Sequence, residues 1–230
     1  MKNNIEANLK FIVPQVTKPV FESSEYTGTV PKILFDTEYR TVPIKDIRES
    51  SISYTIENNG FQLLKHKTKV KNFYDHEEVI KTYEKELKDF LIEHMKANDA
   101  IIFDYTRRSD AKSGAKNPDG LRGPADRVHA DYTDLSGPQR AKDVLGLDNY
   151  NNLLKEGGRI VQLNVWRAIN GPVKRSPLAF ADALSIPKND LVETDQIFSN
   201  RTGEIYHIAY SENHRWHWVS NMKNDEVLLL

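Results

Sequence analysis

From Arg159 onward the hydrophobic period of the chain changes to two, and this most restricts how it can fold. The stretches "RIVQLNVWRAI", "SPLAFADALSI", "DLVETDQIF", "GEIYHIAYS" and "HRWHWVS" each alternate or run apolar over strand length, with turn residues between them. Successive side chains of a strand point to opposite faces, so each strand must find a second layer to cover its apolar side. Several short strands in succession with few helices predict a mainly β fold with flanking helices, in a sandwich or barrel of the jelly-roll kind.

The upstream half reads differently. "LKFIVP", "KILFD" and "FQLLKHKTKV" are short extended pieces broken by Pro, Gly and Asn, expected to form an N-terminal arm on the core. In "DHEEVIKTYEKELKDFLIEHMKAND", Val79, Ile80, Tyr83, Leu87, Phe90, Leu91 and Met95 recur at helical spacing. Asp75 is a natural N-cap and Glu78 stands three residues on, as in a capping box, so one amphipathic helix is expected over about 76–97. "AIIFDYTRR" reads as a buried strand, followed by a Gly/Pro-rich loop of the length used for lids or binding loops. "SGPQRAKDVLG" and "DNYNNLLKEGG" read as two short helices stopped by glycine. The expected organisation is a single domain over 1–230, with an arm and helix over 1–98 and a β core over 99–230.

Composition narrows the function. Lys and Arg total 32 against 33 Asp and Glu, a net charge of −1, which argues against a general nucleic-acid partner. The chain has no cysteine, so disulfides and thiolate metal sites are excluded. No apolar run reaches membrane-spanning length and the opening residues lack a signal core, so no membrane partner and a cytoplasmic location are expected.

The chemistry centres on "DRVHADYT". In an extended segment residues two apart point the same way, so His129 and Asp131 project together. A third ligand from a later strand would complete two histidines and one carboxylate with open positions, the arrangement of non-haem Fe(II) oxygenases. His214 is the first choice, because Trp216 and Trp218 share its face; His207 is the second. The same donors suit zinc with a bound water, so a hydrolase, a 2-oxoglutarate-independent cupin-like metal protein and a catalytically degenerate binding module all remain open on ligand type.

Several stretches in order along the chain add a resemblance: "GFQLLKHKTKVKNFYD", "AIIFDYTRR", "RVHADYT", "GPQRAKDVLG", "RIVQLNVWRAINGPVKRSPLAFADA" and "ENHRWHWVSNMKNDEVLLL". Together they resemble the CmcJ/NvfI family, which includes a cephamycin hydroxylase component, AsaB-type oxidases and a fungal gibberellin desaturase. The resemblance implies a double-stranded β-helix and an Fe(II)/2-oxoglutarate-dependent dioxygenase that hydroxylates or desaturates a small secondary-metabolite intermediate with dioxygen. Carried over by motif, it implies His129, Asp131 and His214 as iron ligands. A basic residue is expected to pair with the distal carboxylate of 2-oxoglutarate, Arg167 first and Arg215 second. Tyr105, Trp166, Trp216 and Trp218 are the expected substrate-pocket residues. The pattern departs from the family at His217 and Trp218, where an aromatic pair is expected.

Overall fold

A computed structural model describes residues 4–28, 31–117 and 120–230. Fourteen strands, numbered in chain order, form among these residues, and the chain divides into two compact units. The first unit takes residues 1–51, 125–162 and 179–218; the second takes 52–124, 163–178 and 219–230.

The first unit holds two sheets. One runs β1 (Ile5–Ile12), β4 (Thr37–Asp46), β13 (Trp216–Trp218), β10 (Phe180–Ala181). The other runs β3 (Lys32–Ile33), β2 (Val20–Glu22), β11 (Leu191–Ile197), β12 (Thr202–Ile208), β8 (His129–Ala130). Neither order follows the sequence, as expected when strands cross between sheets in a jelly roll. The N-terminal residues are therefore full sheet members: β4 lies between β1 and β13, with Ile44 opposite Ile5 on one side and Trp216 on the other. Val42, Ile44 and Asp46 are buried while Thr41, Pro43 and Lys45 are exposed, the alternation of a strand covered on one face. Phe11, Val42, Ile44 and Trp216 form the buried cluster beneath it.

Two helices follow β8, α2 (Ser136–Leu145) and α3 (Leu147–Lys155), both where the sequence places them. The entry to α2 is tied to the five-stranded sheet. Thr133 Oγ1 accepts from the amides of Leu135 and Ser136 and donates to Glu204 Oε1 of β12 at 2.5 Å. Burial pushes the Glu204 carboxyl up, but the hydrogen bonds from Lys18 and Thr133 outweigh it and hold its pKa below the usual value.

In the second unit, β14 (Glu226–Leu229) is the middle strand between β5 (Gln62–Lys65) and β9 (Val165–Arg167), and all four of its residues are buried. The long helix α1 covers this sheet through Leu229. It runs as His76–Glu78, a π-helical turn Val79–Tyr83, then Glu84–Met95. Its buried stripe is Val79, Tyr83, Leu87 and Leu91, spaced by four throughout. A strict four-residue spacing drifts off one face of a 3.6-residue helix, and the wider π turn absorbs part of the drift. Ile80, expected on the apolar face, is 46% exposed. Asp75 caps the helix as expected by accepting from the Glu78 amide. The Glu78 carboxylate does not complete the capping box; it accepts from the Lys71 and Asn72 amides instead.

"AIIFDYTRR" is not a strand in the structure. Its amides find side-chain acceptors rather than a ladder: Asp99 for Ala100, Asp104 for Tyr105, and Asn117 for Arg107. Ile102 and Tyr105 still pack against the cluster under α1, which explains its apolar character. The following loop folds into a hairpin, β6 (Ala115–Asn117) and β7 (Gly120–Arg122).

Leu229 is fully buried between α1 and the three-stranded sheet. Leu229→Ala is expected to cost about 2–5 kcal/mol through lost burial and the cavity left behind, read as a lower urea midpoint with an unchanged slope.

Candidate metal centre

The two-residue pairing of β8 with β12 sets His129 directly opposite His207 and Ala130 opposite Tyr206. The imidazole centroids are 6.4 Å apart. His129 Nε2 stands 3.3 Å from Asp131 Oδ1, so the expected pair does project together.

Neighbouring groups determine which nitrogen of each imidazole carries the proton. His129 Nδ1 lies 2.8 Å from the Arg127 carbonyl oxygen, which can only accept, so Nδ1 is protonated and Nε2 is the nitrogen turned to Asp131. His207 Nδ1 lies 3.0 Å from Thr194 Oγ1, while that hydroxyl donates to Val192 O at 3.2 Å. The threonine proton is therefore committed, Nδ1 of His207 donates, and its Nε2 is the nitrogen without a proton. Burial first, then the nearby His129 and Arg127, lower the His207 pKa to about 3 and keep the ring neutral. An acceptor that holds the Nδ1 proton from behind, as both histidines have, leaves Nε2 as the nitrogen with which an imidazole ligates a metal.

At His129 the electrostatics sharpen this. A lone pair facing a carboxylate oxygen at 3.3 Å is stable only with a proton or a metal ion between the two. Two imidazoles and one carboxylate form a donor set that fits a divalent first-row metal. Among the described residues no three such groups are already drawn in tightly enough to hold an ion, so closing the sphere takes side-chain adjustment.

His214, the first choice for third ligand, is engaged elsewhere. Its Nε2 donates to Asp190 Oδ2 at 2.8 Å, its ring lies against Phe11 and Trp216, and its side chain is fully buried. The ring that shares a contact with His129 is that of His207.

The remaining expected residues divide between the units. Arg215 donates side-on through Nε and Nη2 to Asp182 Oδ2 at 3.2 and 3.0 Å in the first unit. Trp216 is buried in the core cluster and Trp218 is half-buried beside it. Arg167, in β9 of the second unit, donates Nε to Tyr83 Oη at 3.0 Å, Nη2 to His66 O at 2.8 Å and Nη1 to Asn224 O; Nη2 also meets His66 Nδ1. Those partners make it a tie between β9, the long helix and two loops. Trp166 stands opposite Leu228 across the β9–β14 pair. Tyr105 donates to Glu84 Oε2 at 2.9 Å, and burial followed by that carboxylate raises its pKa.

The family described as "Oxidoreductase/YMDC permease-like domain" matches residues 9–230. The chain belongs to it. Among curated proteins, the chain is 29% identical over 197 residues to the alpha-ketoglutarate-dependent dioxygenase phiK of a fungal species, covering 84% of this chain and 69% of that one. It is 29% identical over 230 residues to the hydroxylase/desaturase efuI of Hormonema carpetanum, covering 88% and 74%. The solved structure of the iron and alpha-ketoglutarate-dependent endoperoxidase NvfI superposes with a TM-score of 0.82 at 20% identity, over 99% of this chain and 83% of that one. The resemblance to NvfI-like proteins read from the motifs is borne out, and the fold of this family member is the jelly roll of those oxygenases. No helix among its described residues is long and apolar enough to cross a membrane.

Thr194 is fully buried behind His207. Thr194→Val removes the acceptor that orients the ring and should weaken divalent-metal affinity about 10–100-fold, with Thr194→Ser close to wild type, in anaerobic Fe(II) titrations.

Proposed function

We propose that this family member is a non-haem Fe(II)/2-oxoglutarate-dependent oxygenase that hydroxylates or desaturates a small secondary-metabolite intermediate. The observation that carries the reading is the β8–β12 register. It sets two imidazoles opposite one another, each held at Nδ1 by an acceptor, beside a carboxylate two residues along. Relatives named as Fe(II)/2-oxoglutarate-dependent dioxygenases and hydroxylase/desaturases support it.

In this reading His129, Asp131 and His207 hold the metal, and 2-oxoglutarate and dioxygen are the co-substrates. The iron, when bound, supplies the activation of dioxygen that couples decarboxylation of 2-oxoglutarate to succinate with oxidation of a substrate C–H bond. The protein's own contribution is positional. Arg127 O and Thr194 Oγ1 hold the Nδ1 protons and keep both rings turned, so that Nε2 of each is the atom that would meet the metal. Phe35, 4.8 Å from the His207 ring, gives that imidazole an apolar neighbour that excludes water from one side. The expected compartment is the cytoplasm and the expected partners are a small-molecule substrate and dioxygen.

A catalytically degenerate member is the second reading, favoured by the absence, among the described residues, of three donors already gathered around one point. Iron retention and turnover separate the two. His129→Ala, Asp131→Ala and His207→Ala should each lose iron after anaerobic loading and desalting and abolish succinate formation from 2-oxoglutarate, while His214→Ala keeps its iron. Iron lost from His214→Ala and kept by His207→Ala would return the third position to His214. Wild-type protein that binds no Fe(II) would establish the degenerate reading.

A further inference from the structure

The sheet face that carries His207 continues past it to the hairpin joining β11 and β12. The register of those strands is unbroken, from Leu191 opposite Ile208 to Ile197 opposite Thr202. Side chains alternate between faces, so Val192, Thr194 and Gln196 of β11 share the face of Gly203, Ile205 and His207 of β12. Glu193, Asp195 and Glu204 stand on the other face, where Lys18 pairs with the last two. The charge of both strands is thus confined to the side away from the histidine. On the histidine side Val192 and Ile205 are only half-buried. The chain after His129 runs alongside toward the same hairpin, since Thr133 bonds Glu204, so Asp131 lies on the hairpin side of His207.

At the hairpin this apolar face ends in an arginine. The guanidinium of Arg201 lies 4.0 Å over the ring of Phe198. Both side chains fold back over Gly203, where a Cβ would stand 3.2 Å from Arg201 Nη1 and 3.4 Å from Phe198 Cε2. A residue at 203 projects on the side of His207, so the stack lies on that side, and glycine leaves the room for it. Among the described residues the guanidinium of Arg201 meets this ring and no carboxylate. The ring excludes water from one side of the cation, which strengthens an ion pair made by its remaining donors. Four strand residues separate Gly203 from His207, roughly 13 Å. That is too far for a five-carbon co-substrate seated at the metal residues, and it suits a longer molecule lying along Ile205 and Val192.

We propose that the molecule this protein oxidises is an amphipathic acid, its apolar body on Val192 and Ile205 and its carboxylate on Arg201, so that the opposite end reaches the metal residues. The inference deepens the function proposed above and rests on it. An apolar surface supplies binding area without direction, and a charged group at one end of it fixes which end of the ligand faces the chemistry.

The probes are 6-phenylhexanoate and 6-phenylhexan-1-ol, which share an apolar body and differ in the terminal group. In calorimetric titrations of anaerobic protein loaded with Fe(II) and 2-oxoglutarate, the acid should bind on the order of 10-fold more tightly than the alcohol. Arg201→Gln should remove that advantage and leave the alcohol unchanged, with Arg201→Lys keeping part of it. A wild type that does not bind the acid or does not prefer it, a preference that survives Arg201→Gln, or an equal loss for both probes overturns the assignment. Orientation is read by proton NMR with Mn(II) in place of Fe(II). The phenyl resonances of the bound acid should broaden more than the methylene beside its carboxylate, and the reverse order also overturns the proposal. If the protein binds neither metal, the function proposed above fails by itself. The same titrations on metal-free protein then decide Arg201: a preference for the acid that is lost in Arg201→Gln upholds the carboxylate site, and one absent or unaltered rejects it.

Discussion

The pairing of β8 with β12 is the contact on which the candidate centre depends. It is only two residues long, yet a slip of one would put Tyr206 opposite His129 and turn His207 to the other face of the sheet. The register is fixed from both ends. Val128 donates to Lys10 O at 2.9 Å and accepts from Ile208 N at 3.2 Å, which holds the strand where it enters. Beyond it, Thr133 bonds Glu204 and starts α2, and the Asp134 amide reaches Tyr206 Oη at 3.4 Å. Tyr206 and Ile208 are themselves buried, so the hydrophobic pattern of β12 opposes the same slip.

This arrangement makes one short strand serve two purposes. Alternate residues Arg127, His129 and Asp131 face one way and carry all the charge, while Val128 packs into the apolar cluster with Phe11 and Trp216. The charged face thus inherits its order from a hydrophobic one. The second unit has a comparable polar tie in Arg167, whose bonds to Tyr83, His66 and Asn224 O join β9 to the helix and loops around it. An arginine in a family motif can therefore be structural, and the state of its donors, more than its motif, separates the two roles.

Much of the fold was legible because it follows from local periodicity. The long helix, α2, α3 and the strands β11, β12 and β13 stand where spacing and turn residues put them. "AIIFDYTRR" was misread because its apolar residues pack on the helix while its amides bond to Asp99, Asp104 and Asn117 side chains, and no pattern of hydrophobicity distinguishes that from a ladder. β4 escaped because the Pro43 within it resembles punctuation, although its position opposite Glu6 tolerates it. The buried run "EVLL" at the end of the chain forms a central strand, which a reading built on alternation does not single out.

At the site, the sequence by itself determined the pair His129 and Asp131, because their separation of two on an extended segment is a local property of the backbone. It also narrowed the proposed third donor to two histidines. Strand pairing between segments some eighty residues apart makes His207 the cross-strand partner of His129. Tertiary structure likewise decided what the two candidate arginines do, since Asp182 takes the fork of Arg215, and Tyr83 and His66 take that of Arg167. Residue type and spacing can name a set of candidate groups; the choice among them depends on what each one's neighbours already accept.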